Sequence, residues 1–413
     1  MTTTDSRTDE RLFDMLDVGT FADGHPHDAY DRLRAAEPVM RHPGSDIQPP
    51  FWVLTRYEDI KSVSQDGDNF TVQKGFKIPT DNRASMDPEI ARTLSRFMLA
   101  MDNPEHLAYR NVVASAFLPA ALKAVEPRIR RSVADLMDSL EDREEVEFVT
   151  EVGARIPIAT ICAILGVPPE DEGKVFDFTN AVFATDDPEF TPSLEVANAR
   201  YLEIFEYGWA LLDKRRRAPR DDLLTRIAFA EVDGKPIGEI EQKSFFSNLL
   251  AAGNETTRTT LASCVWAMSL FPGEKRKLIE TPSAIADGVP ECVRWVSPVY
   301  HMARTARRDV EIGGRRIAAG ERVAMLYGAG NHDPAMFEDP HRLDLGRAAA
   351  SRHLGFGWGI HHCLGSRLAA LQLRLILDAL LTRFPQHEVI APPSYIASNF
   401  VAAIKTLPVR LRG

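Results

Sequence analysis

The chain has 413 residues, 44% of them hydrophobic and 26% charged, the balance of a folded protein long enough to bury a large core. Its 49 Lys and Arg stand against 59 Asp and Glu, a net charge of −10, which argues against a nucleic-acid partner because that needs a basic surface. The polar opening Met1-Thr2-Thr3-Thr4-Asp5 and the lack of any apolar run of about 18 residues argue against a signal peptide or membrane anchor, and lead us to expect a cytoplasmic protein.

No Gly-, Pro- or Ser-rich linker divides the chain, so one domain over residues 1–413 is expected. Apolar residues at three- and four-residue spacing predict helices near 106–118, 126–140, 153–165 and 196–216. The run Asp213-Lys214-Arg215-Arg216-Arg217 closes the last of these. Cations there suit the negative end of a helix better than they make a nucleic-acid or membrane patch.

The longest predicted helix runs from about Ile240 to Leu270, after Gly238 and before the stop Phe271-Pro272-Gly273. Roughly thirty residues at helical rise span about 45 Å. Its middle, Ala251-Ala252-Gly253-Asn254-Glu255-Thr256-Thr257, has small and polar residues where a core helix would carry Leu or Ile. Ala and Gly leave room for a ligand. A Thr hydroxyl can bond back to a carbonyl and loosen a turn, and an acid beside it can relay protons. Taken alone, a Gly-containing helix with a solvated Glu and Thr is the plainer reading.

A helix near 283–296 carries Glu291-Cys292-Val293-Arg294, whose two charges share a face. Such pairs are common on surfaces, so this signal is weak by itself. Asp309–Ile312 and Arg316–Ala318 flank Gly313-Gly314 as a tight hairpin, and Arg322–Leu326 and Thr406–Arg410 add short strands. The expected fold class is mainly α with a small β region.

Of four cysteines, Cys162, Cys264 and Cys292 sit in apolar helical contexts and read as small core residues. No C-x-x-C spacing points to zinc or a disulfide framework, and a reducing compartment suits them. Cys363 differs. It ends the loop Phe356-Gly357-Trp358-Gly359-Ile360-His361-His362-Cys363-Leu364-Gly365, and an amphipathic helix follows. At a helix start the sulfur meets unpaired N–H groups and the positive dipole end, which favour thiolate. The glycines let backbone pass beneath a flat ligand. A chance match to F-G-x-G-x-H-x-C-x-G in a chain this long is on the order of one in a million, so an incidental cysteine does not explain it.

This loop resembles the haem-binding loop of the cytochrome P450 family, and the order of the other motifs agrees over nearly the whole chain, from a helix at Asp28–Arg34 to Lys405–Val409. The resemblance implies a triangular, mostly helical fold with haem b between the long helix and the helix after Cys363. It implies that Cys363 is the iron ligand, that Phe356 packs beside the sulfur, and that Gly365 completes the loop. His106, Arg110, Arg304 and His361 would neutralise the propionates. Glu291 and Arg294 would form a buried structural pair with Arg342 as the third member, although Leu343 stands where the family usually carries Phe. Glu255 and Thr256 would be the acid–alcohol pair of oxygen activation. By position, Phe76, Ile78, Phe97, Met98, Ala251, Ala252, Val299, Met302, Phe400 and Val401 would line the substrate pocket.

The activity implied is a monooxygenase hydroxylating an apolar small molecule, a terpenoid, steroid or alkyl-aromatic, with O₂ and two electrons. No segment resembles a flavin or iron–sulfur domain, so a separate ferredoxin and ferredoxin reductase are expected, docking near Arg352 and Arg367. A peroxide-driven peroxygenase is the rival within enzymes, and a haem ligand sensor the rival outside them. Both leave the Glu255-Thr256 pair without a purpose.

Overall fold

The computed structural model describes residues 13–79, 86–183 and 187–412, with side chains omitted over 180–183. The predicted long helix spans Glu239–Leu270, with Gly238 before it, Glu239 and Glu241 in its positive first turn, and Phe271-Pro272 beyond it. It is buried on nearly every side, as a helix through the middle of a molecule must be. Several of its buried polar groups are paired. Lys243 Nζ meets Glu89, Glu206 and Glu239 at 2.7, 2.9 and 2.8 Å, and Asn254 donates to Thr179 at 2.6 Å.

Helices Arg155–Leu165, Glu172–Phe183 and Leu194–Arg217 pack on one side of the long helix, and Ile285–Val296 and Ser366–Arg383 on another. Gly208 marks the crossing with Leu194–Arg217: a Cβ there would overlap the ring of Phe246. The cations at the end of Leu194–Arg217 stay at the helix terminus, with Arg215 on Asp222 at 2.6 Å and Arg217 on Asp213.

Part of the β region follows the sequence. The strand Arg322–Leu326 forms as expected and lies third in a five-stranded sheet ordered Val39–His42, Phe51–Leu54, Arg322–Leu326, His301–Ala306, Phe70–Thr71. Only its pairing with Phe51–Leu54 is parallel. Gly313 and Gly314 have φ of 55° and 76°, the left-handed pair a two-residue hairpin turn requires, between Val310–Ile312 and Arg315–Ile317.

Two expected elements break. The helix expected over 106–118 ends at Ala114 and tightens into a 3₁₀ turn, because Pro119 opens the next helix and holds Leu118 extended. The strand expected over Thr406–Arg410 divides into Ile404–Thr406 and Pro408–Arg410, in separate sheets. Leu407 turns its N–H to the Glu147 carboxylate at 2.7 Å, and Pro408 has none to give. Cys162, Cys264 and Cys292 are buried free thiols. Among the described residues no helix is long and apolar enough to cross a membrane.

Candidate active site

The loop before Ser366 folds on itself. Cys363 N–H donates to Phe356 O at 2.8 Å, Gly357 N–H to Leu354 O at 2.7 Å, and His362 N–H to Gly359 O at 3.1 Å. Gly357 and Gly359 take φ of 69° and 73°, which side-chain-bearing residues rarely adopt. The result presents the Cys363 side chain to a large cavity, although protein surrounds the residue on its other sides. Burial raises the thiol pKa above its ordinary value, and the Gly365 N–H and the Arg110 charge oppose that shift. The sulfur thus sits where a cation bound in the cavity would complete what the helix start begins.

Across the cavity runs the small-residue stretch of the long helix. Ala252, Gly253, Thr256, Thr257 and Thr260 line it. Thr256 Oγ1 donates to Ala252 O at 3.0 Å, the back-bond expected of a helical Thr. Glu255 does not accompany it. Adjacent helical residues diverge by about 100°, so its carboxylate turns into the protein, where Arg258 pairs with it and Thr259 donates to it at 3.2 Å. Of the expected acid–alcohol pair, the Thr256 hydroxyl therefore stands on the cavity wall and the Glu255 carboxylate stands behind it, held by Arg258.

One end of the cavity is basic. His106, Arg110, Arg304 and His361 converge there, the two imidazoles with centroids 4.4 Å apart. Burial first, then the neighbouring cations, pulls His361 down to about 2 and His106 to about 4. Burial also lowers Arg110 and Arg304. Among the described residues no carboxylate pairs with either arginine, and His361 Nε2 is buried without a hydrogen-bond partner. An unneutralised basic cluster with an orphaned ring nitrogen is built for acidic groups of a ligand.

Behind the loop lies the Glu291–Arg294 pair, both residues at 0% exposure, joined by two bonds of 2.7 and 2.8 Å. Arg294 Nη1 also donates to Asn331 O and Pro340 O at 2.7 and 2.9 Å. The third charge is Arg347, not Arg342. Arg347 Nε lies 3.1 and 3.2 Å from the two Glu291 oxygens. Arg342 is exposed and offers the network only its backbone carbonyl, which Arg294 and Arg347 approach at 3.3 and 3.0 Å. Arginine spacing in this segment does not reveal which side chain turns inward; the turn at Asp344-Leu345-Gly346 swings Arg347 back.

A family model, Cytochrome P450, matches residues 285–407. The linalool 8-monooxygenase of Pseudomonas putida is 36% identical over 94% of this chain and 95% of its own length. The steroid C26-monooxygenase of Rhodococcus jostii is 34% identical over 96% of this chain and 84% of its own. This chain belongs to the cytochrome P450 family. A solved Mycobacterium marinum cytochrome P450, in complex with pseudoionone, superposes with a TM-score of 0.87 at 34% identity, covering 93% of this chain and 94% of that one.

As a cytochrome P450 this chain is a haem-thiolate monooxygenase with haem b as cofactor. The residues fit that group. The cavity brings a cysteine sulfur to one wall, two unpaired arginines and an orphaned imidazole to one end, and a small-residue helix to the other wall. Bound there, the haem supplies the redox chemistry that splits O₂, and thiolate ligation favours that cleavage.

Of the pocket residues expected in this P450, Phe76, Met98, Ala252, Val299, Met302, Phe400 and Val401 line the cavity. Three do not. Ile78 is fully buried in a separate core, its N–H on His301 Nε2 at 2.8 Å and its carbonyl on Asn399. Phe97 packs into the main core, and Ala251 lies on the buried flank of the long helix, one residue off the cavity face. Asn248 and Leu249 line the cavity and were missed. The signal was present, since Asn248, Ala252 and Thr256 stand four apart on one helix face.

Proposed function

We propose that this P450 hydroxylates an apolar terpenoid, steroid or alkyl-aromatic compound, using two electrons from a ferredoxin supplied by a ferredoxin reductase. In this reading Cys363 holds the haem iron, His106, Arg110, Arg304 and His361 hold the propionates, and the Thr256 hydroxyl passes protons into the cavity. The observation that carries the substrate class is the lining away from the basic end. Phe76, Met98, Val299, Met302, Phe400 and Val401 supply apolar surface, with Phe76 and Phe400 in ring contact at 6.1 Å and no carboxylate or ammonium group among them. The named activities of the relatives, on linalool and on steroids, support the same class.

Added to the haem-loaded protein, a compound that fits should displace polar solvent and move the haem absorption from low spin to high spin. A panel of terpenoid alcohols, steroids and alkyl-aromatics should include such compounds, and sugars and dicarboxylates should give none. A panel in which only the polar compounds act would refute the reading.

The cysteine side presents Arg352 and Arg367, both exposed, beside the loop. An acidic ferredoxin docking there should reduce the haem at a rate that falls steeply between low and high salt, because exposed charge pairs are screened. Stopped-flow reduction with a ferredoxin over a salt series checks this, and a salt-independent rate contradicts it. The free thiols suit a reducing cytoplasm.

A further inference from the structure

Beyond the Glu291–Arg294 pair, away from the cavity, three imidazoles converge that haem chemistry does not use. His27, His332 and His341 each offer a ligand atom, and these atoms lie within 4.8 Å of one another. Their ring centroids are 4.1, 5.3 and 5.3 Å apart.

Hydrogen bonds fix which nitrogens are free. His332 Nδ1 lies 2.9 Å from Gly328 O, an atom that only accepts, so Nδ1 carries the proton and Nε2 the lone pair. That Nε2 is buried with no hydrogen-bond partner, in a residue 1% exposed. His341 Nε2 lies 2.7 Å from the Asp31 carboxylate, which likewise places the proton on Nε2 and leaves Nδ1 free. His27 Nδ1 is also buried without a partner. The neighbouring imidazole of His25 is already engaged, Nε2 on Ser297 O at 2.8 Å and Nδ1 on the Tyr30 hydroxyl at 3.4 Å. Burial first, then neighbouring imidazoles and arginines, lowers the pKa of His27 and His332. Orphaned buried lone pairs are costly unless something takes them.

We propose that His27, His332 and His341 form a binding site for one divalent metal ion of zinc's class, with a fourth position open to water on the exposed His341 side. Three imidazole ligands select zinc, copper, nickel or cobalt over magnesium and calcium, which prefer oxygen. Asp31 on His341 and the Gly328 carbonyl on His332 are the outer partners that orient metal-bound histidines. Asp31 is itself held by Arg34 at 2.7 Å. Tetrahedral zinc draws imidazole nitrogens to about 3.4 Å apart, so the exposed His341 must move inward by about an ångström.

The site ties the start of helix His27–Ala36 to the segment that braces the cysteine loop. His332 follows Asn331, which accepts from Arg294 and whose side chain accepts the Leu354 N–H at 2.6 Å. His341 follows Pro340, another Arg294 acceptor, and its carbonyl takes Trp295 Nε1 at 3.0 Å. A metal here would brace the loop from behind without touching the haem.

The test uses the haem-loaded full chain without an affinity tag, treated with chelator and then dialysed against Zn²⁺. One zinc per chain should be retained, and zinc-edge X-ray absorption should show three imidazole nitrogens at about 2.0–2.1 Å. His341→Ala, at an exposed position, should weaken zinc binding at least about a hundredfold and Asp31→Asn about tenfold, with the haem spectrum unchanged. No stoichiometric zinc, unaltered affinity in His341→Ala, or fewer than two imidazoles at the zinc edge would overturn the proposal.

Discussion

Glu291→Ala should yield a chain that does not retain haem, purified with little or no Soret absorbance relative to protein. Glu291 is fully buried and answers two guanidinium groups at once, Arg294 and Arg347, and it also accepts the Asp344 N–H at 3.0 Å. Removing the carboxylate strands both cations, and breaking a buried pair typically costs about 3–5 kcal/mol, a large share of the roughly 5–15 kcal/mol that holds a protein folded. The damage is local to haem binding because Arg294 fastens Asn331 and Pro340, and Asn331 in turn fastens Leu354 at the root of the cysteine loop. Arg347→Ala should cost less haem, since Arg294 remains on the carboxylate. Arg342→Ala should be almost silent, because only its backbone takes part. The Soret-to-protein ratio across the three variants reads the order directly. Equal losses at Arg342 and Arg347 would contradict the assignment.

Thr256→Ala should separate electron consumption from product formation. The hydroxyl lines the cavity on the wall opposite Cys363 and already bonds Ala252 O, so it is placed to hold water and pass a proton inward. General acid–base assistance is worth about 10²–10⁴-fold, and losing one relay group should lower product per electron pair by about tenfold or more. Substrate binding, read by the spin shift, should be unchanged. Glu255→Gln should behave otherwise. Its carboxylate is committed to Arg258 and Thr259, so the first effect should be a lowered unfolding temperature. Full coupling in Thr256→Ala, measured as product against electrons consumed, would remove this residue from the proton path.

The parts of the site legible in the sequence are those where local chemistry decides the geometry. The Gly313-Gly314 hairpin, the strand Arg322–Leu326 and the helix Glu239–Leu270 follow from turn residues, alternation and stop signals. The cysteine loop follows from its glycines, which only certain backbone paths require. What spacing could not supply was the direction of a side chain set by the tertiary structure. Glu255 and Thr256 are neighbours in sequence, and the helix turns them apart. Arg342 and Arg347 lie in one irregular loop, and only the fold shows which guanidinium reaches Glu291. Ile78 sits two residues from Phe76 yet belongs to a different core, because His301 and Asn399 hold its backbone inward. The convergence of His27, His332 and His341 joins positions far apart in the chain, and no local pattern announces it.

The role assigned to Cys363 is tested most directly by the absorption of the reduced, carbon-monoxide-bound protein. A sulfur anion on the iron should give a strongly red-shifted Soret band in the native chain, and Cys363→Ser should abolish it. A native spectrum without that shift, or a serine variant whose spectrum matches the native one, would contradict the account.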